Sequence, residues 1–196
     1  MLSTKTTSGF TLIELMVTLA VLAFLLLLGV PAFSQIIRNA KVRSVAEALQ
    51  NGLRLAQNEA IRRSHQTAFV LTNVAPGLSA PSGANGKNWY VQVLPGPGET
   101  IDSTFYVQGG SFGNLADGVT VTSAVSMLCF NSIGRAVGNA ITNLGTCTAP
   151  SATTPITLDV TTSGADRTLE LQVGTGGKIR MCDTSVPLST NRPDGC

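Results

Sequence analysis

Residues able to do covalent or acid–base chemistry are sparse in this 196-residue chain. There is one histidine, His65, four cysteines, and no grouping of Ser, His and Asp or of Cys and His from which a nucleophile could be argued. Enzymatic activity and bound cofactors are therefore not expected. The chemistry sits instead at the N-terminus, where the small pair Ser8-Gly9 precedes Phe10 and, a turn further on, Glu14. In an ordinary secretory signal the small-residue cleavage site follows the apolar region. Here it comes first, so cleavage after Gly9 would leave the apolar segment on the mature chain with Phe10 as its new end. The freed α-amino group of Phe10 is then a cation one turn from the Glu14 carboxylate, in the same chain or in an axially shifted neighbour. That pairing gives a reason for a carboxylate that otherwise costs a few kcal/mol inside a membrane helix. The rival reading is a plain signal anchor, with Lys5 held on the cytoplasmic side.

The elements that would position these groups follow from the hydropathy pattern. Residues 1–9 are polar, with Lys5 and no acid. From Phe10 to Val30 Glu14 is the single charge, and at about 1.5 Å per residue that run covers roughly 30 Å, enough to span a bilayer. Pro31 removes an N–H that would bond to the carbonyl of Leu27, and its ring clashes with that turn, so a break in character is expected there. Past it, Phe33, Ile36, Ile37, Ala40, Val45, Ala48, Leu49, Leu53, Ala56, Ala60 and Ile61 recur at three- and four-residue spacings, one face of an amphipathic helix. The domain reading is thus a leader at 1–9, a transmembrane and filament-core helix at 10–31, an amphipathic helix at 32–64, and a β-rich region at 65–196. The first half of the rod is expected to protrude and the second half to lie on a sheet.

Residues 66–196 are rich in Gly, Thr, Ser, Asn and Val and punctuated by turn signals, as short antiparallel strands require. Strands are expected at 66–72, 88–94, 104–108, 118–123, 127–131, 135–141, 155–160, 167–173 and 177–182. Surface loops open to partners are expected at 75–87 and 94–103. Cys129, Cys147, Cys182 and Cys196 are even in number and follow the apolar segment, which favours two disulfides in an oxidising compartment. No pair has the CxxC spacing of a zinc site. Of the three possible pairings the local ones are expected, Cys129 with Cys147 and Cys182 with Cys196. The charge is uneven: residues 38–63 hold six basic and two acidic side chains, net +4, while 64–196 hold six and eight, net −2. Arg38, Lys41 and Arg43 fit a solvated helix face or lipid head groups. Arg54, Arg62 and Arg63 could join a nucleic-acid surface, although no aromatic residue interleaves them.

Gly9-Phe10-Thr11-Leu12-Ile13-Glu14-Leu15 resembles the class III prepilin signal of type IV pilins and type II secretion pseudopilins. The resemblance implies cleavage after Gly9 and N-methylation of Phe10 by a prepilin peptidase, with Glu14 ordering subunits during assembly; Pro31 matches a position where such helices kink or melt. The stretch from Asn51 to Arg63 is similar to the helix end of the GspH, FimT and FimU group, with Gln57-Asn58 where that pattern has Arg-Ser. Phe130-Asn131-Ser132-Ile133-Gly134-Arg135 and Gly177-Lys178-Ile179-Arg180-Met181-Cys182 resemble that group's inter-strand turn and closing strand. These resemblances imply an α+β type IV pilin fold, a long N-terminal helix packed on antiparallel β-sheet. They also imply partners among major and minor pilins or pseudopilins, and passage from the bacterial inner membrane, as a single-pass protein with a periplasmic C-terminal region, into a filament. A minor pilin at the filament tip is the leading expectation, with a pseudopilin of a type II secretion system as an alternative. Similarity to DNA-binding FimT-type pilins adds a third, in which Lys178, Arg180 and Arg192 contact DNA. On residue types alone, Lys178 and Arg180 also suit the wet face of an edge strand, where cations deter sheet aggregation.

Overall fold

The computed structural model describes residues 9–141 and 144–196, those at 28, 31, 32, 140 and 141 by backbone alone. The leader expected at 1–9 lies outside the described residues apart from Gly9. The chain divides into two compact units, one ending at Ile37 and the other comprising Arg38–Cys196. A single helix, α1 (Leu12–Arg63), runs through both and carries on past position 31 without interruption. Its composition is dominated by Leu, Ala, Arg and other good helix formers. Thr11 caps it, accepting the Glu14 N–H on its hydroxyl at 3.3 Å. Glu14 in the first turn and Arg62 and Arg63 in the last complement the helix dipole.

In the first unit the apolar side chains of α1 face outward all round. Phe10 is 82% exposed, Leu27 72% and Phe24 70%. Among the described residues no helix is long and apolar enough to cross a membrane. The described apolar stretch of α1 ahead of position 28 begins at Leu12, short of the roughly 20 residues a bilayer asks for.

In the second unit α1 becomes one-faced. Val42, Val45, Ala46, Leu49, Leu53, Ala56 and Ala60 are fully buried. Phe33, Ile36 and Ile37, read from the sequence as part of that face, are exposed, because the packed unit begins only at Arg38. The buried stripe meets two antiparallel sheets. One has the order β3-β2-β1-β5-β6, from β1 (Thr67–Thr72), β2 (Asn88–Val93), β3 (Tyr106–Ser111), β5 (Met127–Phe130) and β6 (Ala136–Val137). The other has the order β11-β10-β9-β4, from β4 (Val119–Ser123), β9 (Ile156–Thr162), β10 (Leu169–Val173) and β11 (Ile179–Asp183). Phe69, Leu71, Val91, Leu128 and Phe130 from the first sheet and Val121, Leu158, Val160, Leu171 and Val173 from the second share one core with the helix. Gly52 lets the sheet approach: a Cβ there would stand 2.8 Å from the Phe69 ring and 3.1 Å from Trp89.

Every residue of β1 is buried, because the first sheet is covered on both faces. On the side away from the helix Ala68, Val70, Tyr90, Met127 and Cys129 pack with Ala80, Leu94, Leu144 and Cys147. Residues 75–87 are therefore not a free surface loop. The Thr72 hydroxyl donates to Pro81 O at 2.8 Å, Gln92 Oε1 accepts the Ser79 N–H at 2.8 Å, and Gly83 N donates to Leu71 O at 2.8 Å. The expected strand at 135–141 is split into β6 and β7 (Asn139–Ile141), and β7 pairs with β8 (Gly145–Cys147), a strand the sequence did not suggest. A short helix, α2 (Phe112–Leu115), links β3 to β4 and buries Phe112.

One side chain joins the three layers. Gln57 Nε2 donates to Gly134 O at 2.8 Å and to Gly177 O at 2.9 Å, so the helix holds a turn from each sheet with one amide. Both glycines have positive φ, 77° and 78°. A Cβ at Gly177 would collide with the Gly134 carbonyl. Replacing Gln57 by Ala leaves two carbonyls without that donor, and the Arg38–Cys196 unit should lose about 1–3 kcal/mol in urea unfolding; an unchanged midpoint would show that the two turns hold each other without the amide.

Candidate assembly segment and basic surface

Gly9 and Phe10 precede α1 in exposed, non-helical backbone. Glu14 lies in the first turn with its side chain exposed. Among the described residues no cation pairs with its carboxylate. The Thr11-Leu12-Ile13-Glu14 spacing is that of a capping box, a local role for these residues that the sequence reading passed over. At Pro31 the backbone is helical, so local melting is not seen there.

The cysteines form the two local bridges, Cys129–Cys147 with Cα atoms 5.6 Å apart and Cys182–Cys196 at 5.2 Å. The first ties β5 to β8 inside the second core. The second fastens the C-terminus to β11. Glu170 lies close to the sulfurs of Cys182 and Cys196, but those sulfurs are bonded to each other and cannot act as thiolate ligands.

The tail uses the cations that the DNA reading needs. Arg180 Nη2 donates to Pro193 O at 3.1 Å and also to Gly195 O. Asp183 pairs in parallel with Gly195, its N–H donating to Asp194 O at 2.8 Å while its carbonyl accepts the Cys196 N–H at 3.1 Å. The tail thus pairs with the last residue of β11. Arg192 reaches Asp194 at 3.3 Å, and its cation holds the Asp194 carboxyl below the usual carboxylate range. Lys178 is exposed and makes no ion pair among the described residues. Of the three expected DNA contacts, Arg180 is therefore spent on the tail, Arg192 is paired within the tail at an exposed position, and Lys178 is unpaired among the described residues. The sequence signal for this was the 14-residue spacing of Cys182 and Cys196, which returns the tail to its own strand.

Among the described residues five of the six cations of α1 are also engaged, Arg54 being the exception. Arg38 donates to Gly164 O at 3.3 Å and Lys41 to Asp117 O at 3.2 Å, while Arg43 pairs with Glu47 at 2.8 Å. Glu59 accepts from both Arg62 and Arg63, at 2.6 and 2.9 Å, and the Arg62 guanidinium foremost lowers its pKa. At the helix end His65 has the Arg63 carbonyl at 2.9 Å on Nδ1 and the Glu99 carboxylate at 3.1 Å on Nε2. The carbonyl first and then the carboxylate raise its pKa, since both favour a ring that donates from each nitrogen. That contact anchors the 94–103 loop, together with the Gly96 N–H donated to Glu99 at 2.9 Å.

Comparison with known proteins matches this layout. The model of the prokaryotic N-terminal methylation motif matches residues 4–30, and that of type II transport protein GspH matches residues 45–177. The chain belongs to the GspH family. It is a minor pilin or pseudopilin of the type IV pilus and type II secretion family, with the α+β type IV pilin fold. Among solved structures it resembles the type IV minor pilin FimU of Pseudomonas aeruginosa, at 18% identity over 76% of this chain and 95% of that one, TM-score 0.51. The minor pseudopilin EpsH of the type 2 secretion system of Vibrio cholerae matches at 12% identity over 73% of this chain and 97% of that one, TM-score 0.46. No curated protein matches in sequence.

Because Arg180 holds the tail, Arg180→Gln should expose residues 184–196 to protease and lower stability by about 1–3 kcal/mol, whereas Lys178→Gln should leave both unchanged. Limited proteolysis and urea unfolding of the two variants check this; equal behaviour of the pair would contradict the clamp.

Proposed function

We propose that the chain is cut after Gly9 by prepilin peptidase and N-methylated at Phe10. It is then held in the bacterial inner membrane by a single pass over residues 10–30, with its C-terminal unit in the periplasm, and drawn into a filament as a minor type IV pilin. The observation that carries this reading is the outward-facing apolar sleeve of α1 with Glu14 as its lone charge. An exposed apolar surface of that extent is an interaction surface, first for lipid and then for other helices. Once Phe10 is the free end, its ammonium group and Glu14 are complementary, and leaving one partner of such a buried pair alone costs several kcal/mol.

If the amine of one subunit meets Glu14 of another, the contact is head-to-tail, and with an axial shift between subunits, which keeps it from closing into a ring, it builds an open helical filament. The first subunit of such a filament has one end of the contact unmatched. It then depends on surfaces of its C-terminal unit, which is the role we assign here: priming or joining assembly at the tip.

A pseudopilin of a type II secretion system is the second reading, favoured by the match of residues 45–177 to a type II transport family. DNA uptake is not proposed, since Arg180 and Arg192 are engaged with the tail. Glu14→Val should leave the chain in the membrane fraction while reducing its recovery in sheared filaments at least about tenfold; incorporation at the wild-type level would contradict the pairing. Deleting the gene and scoring both pili and protein secretion decides between the two filaments.

A further inference from the structure

Most of the described lysines and arginines have a carbonyl or carboxylate partner. Among the described residues Arg54, Lys87, Arg135 and Lys178 make no side-chain hydrogen bond or ion pair, and three of these four lie around one point. Arg54 is on the same helical stripe as Gln57, Asn58 and Ile61, at the i, i+3, i+4 and i+7 positions. Arg135 follows Gly134 and Lys178 follows Gly177, the two glycines whose carbonyls Gln57 holds. All three cations are exposed. Two large apolar side chains are exposed at the same place: Ile133 at 69%, in the turn, and Ile61 at 49%, whose Cδ1 stands 2.9 Å from where a Cβ of Gly134 would be. The nearby carboxylate, Glu59, is already occupied by Arg62 and Arg63.

The amide and the two positive-φ glycines make this a rigid platform. Turns from both sheets are pinned to the helix, so the exposed groups are presented without much ordering cost on binding. Cations around a small apolar centre fit a protein surface of the inverse design, carboxylates around an apolar side chain. The absence of an aromatic residue among these groups, on which a base would stack, argues against single-stranded nucleic acid, and three cations around an exposed apolar centre suit a protein better than a fully charged duplex backbone. We propose that the surface formed by Arg54, Ile61, Ile133, Arg135 and Lys178 docks a neighbouring filament subunit through a segment rich in Asp and Glu. The inference rests on the filament role proposed above and names the chemistry of the partner for the C-terminal unit.

The test is photocrosslinking in cells that assemble the filament, with a benzophenone amino acid placed in the full chain at position 133 and, separately, at position 22 in the apolar half of α1. Position 133 should capture a filament subunit, and mass spectrometry should place the crosslink in an acidic segment. The double variant Arg54→Glu/Lys178→Glu should reduce that yield about tenfold, and changing the captured Asp or Glu residues to Lys should restore it. Capture of nucleic acid, capture of a basic or uncharged segment, or a yield indifferent to the double variant would each overturn the proposal. Crosslinking from position 22 with none from position 133 would overturn it while leaving the filament role intact; no subunit captured from either position would sink the filament role itself.

Discussion

A helix that is apolar on every side yet carries one carboxylate near its start is fully satisfied by neither water nor hydrocarbon. In water it exposes Leu12, Ile13 and the rows that follow; in lipid it strands Glu14 without a partner, which costs free energy wherever a carboxylate is taken out of water. The same helix continues into a unit where only one stripe is apolar and is fully buried. One continuous element therefore carries both kinds of surface. The change from an all-round to a one-sided apolar surface, completed between Ile37 and Val42, separates the part that must find partners from the part that is satisfied within its own chain.

The second unit is built to be complete. Its first sheet is covered on both faces, by α1 on one and by Ala80, Leu94, Leu144 and Cys147 on the other. In its second sheet the tail is fastened to β11, with a disulfide, backbone pairing at Asp183 and Arg180 all acting on the same few residues. Gln57 then couples the two sheets at one point, so that a turn of each moves with the helix. A rigid head on an unsatisfied helix is what a subunit needs if assembly is driven by the helix and selectivity is supplied by the head.

Much of this was legible in the sequence, because the features concerned have strong local signatures. The helix follows from period and length, most strands follow from alternation between turn residues, and the bridges follow from sequence separation. What was not legible depends on tertiary partners. Residues 75–87 have loop composition, and only the face of β1 and β2 that Ala80 packs on ties them to the core. Gln57 looked like a departure from a pattern, yet a planar amide with two N–H groups suits two glycine carbonyls. Arg180 and Arg192 looked like an open cationic surface, since a strand's alternation tells which side a residue faces but not what returns to cover it. Gly145–Cys147 is too short for a periodic signal and forms a strand because Cys147 is tied to β5.

The central claim is that cleavage after Gly9 converts Glu14 from an unpaired charge into half of an assembly contact. Intact-mass and N-terminal analysis of the chain recovered from sheared filaments tests it most directly. The account predicts a single species beginning at N-methylated Phe10, with the precursor confined to the membrane fraction. Filaments containing the chain with residues 1–9 still attached would contradict it, because no free amine would then be present to meet Glu14.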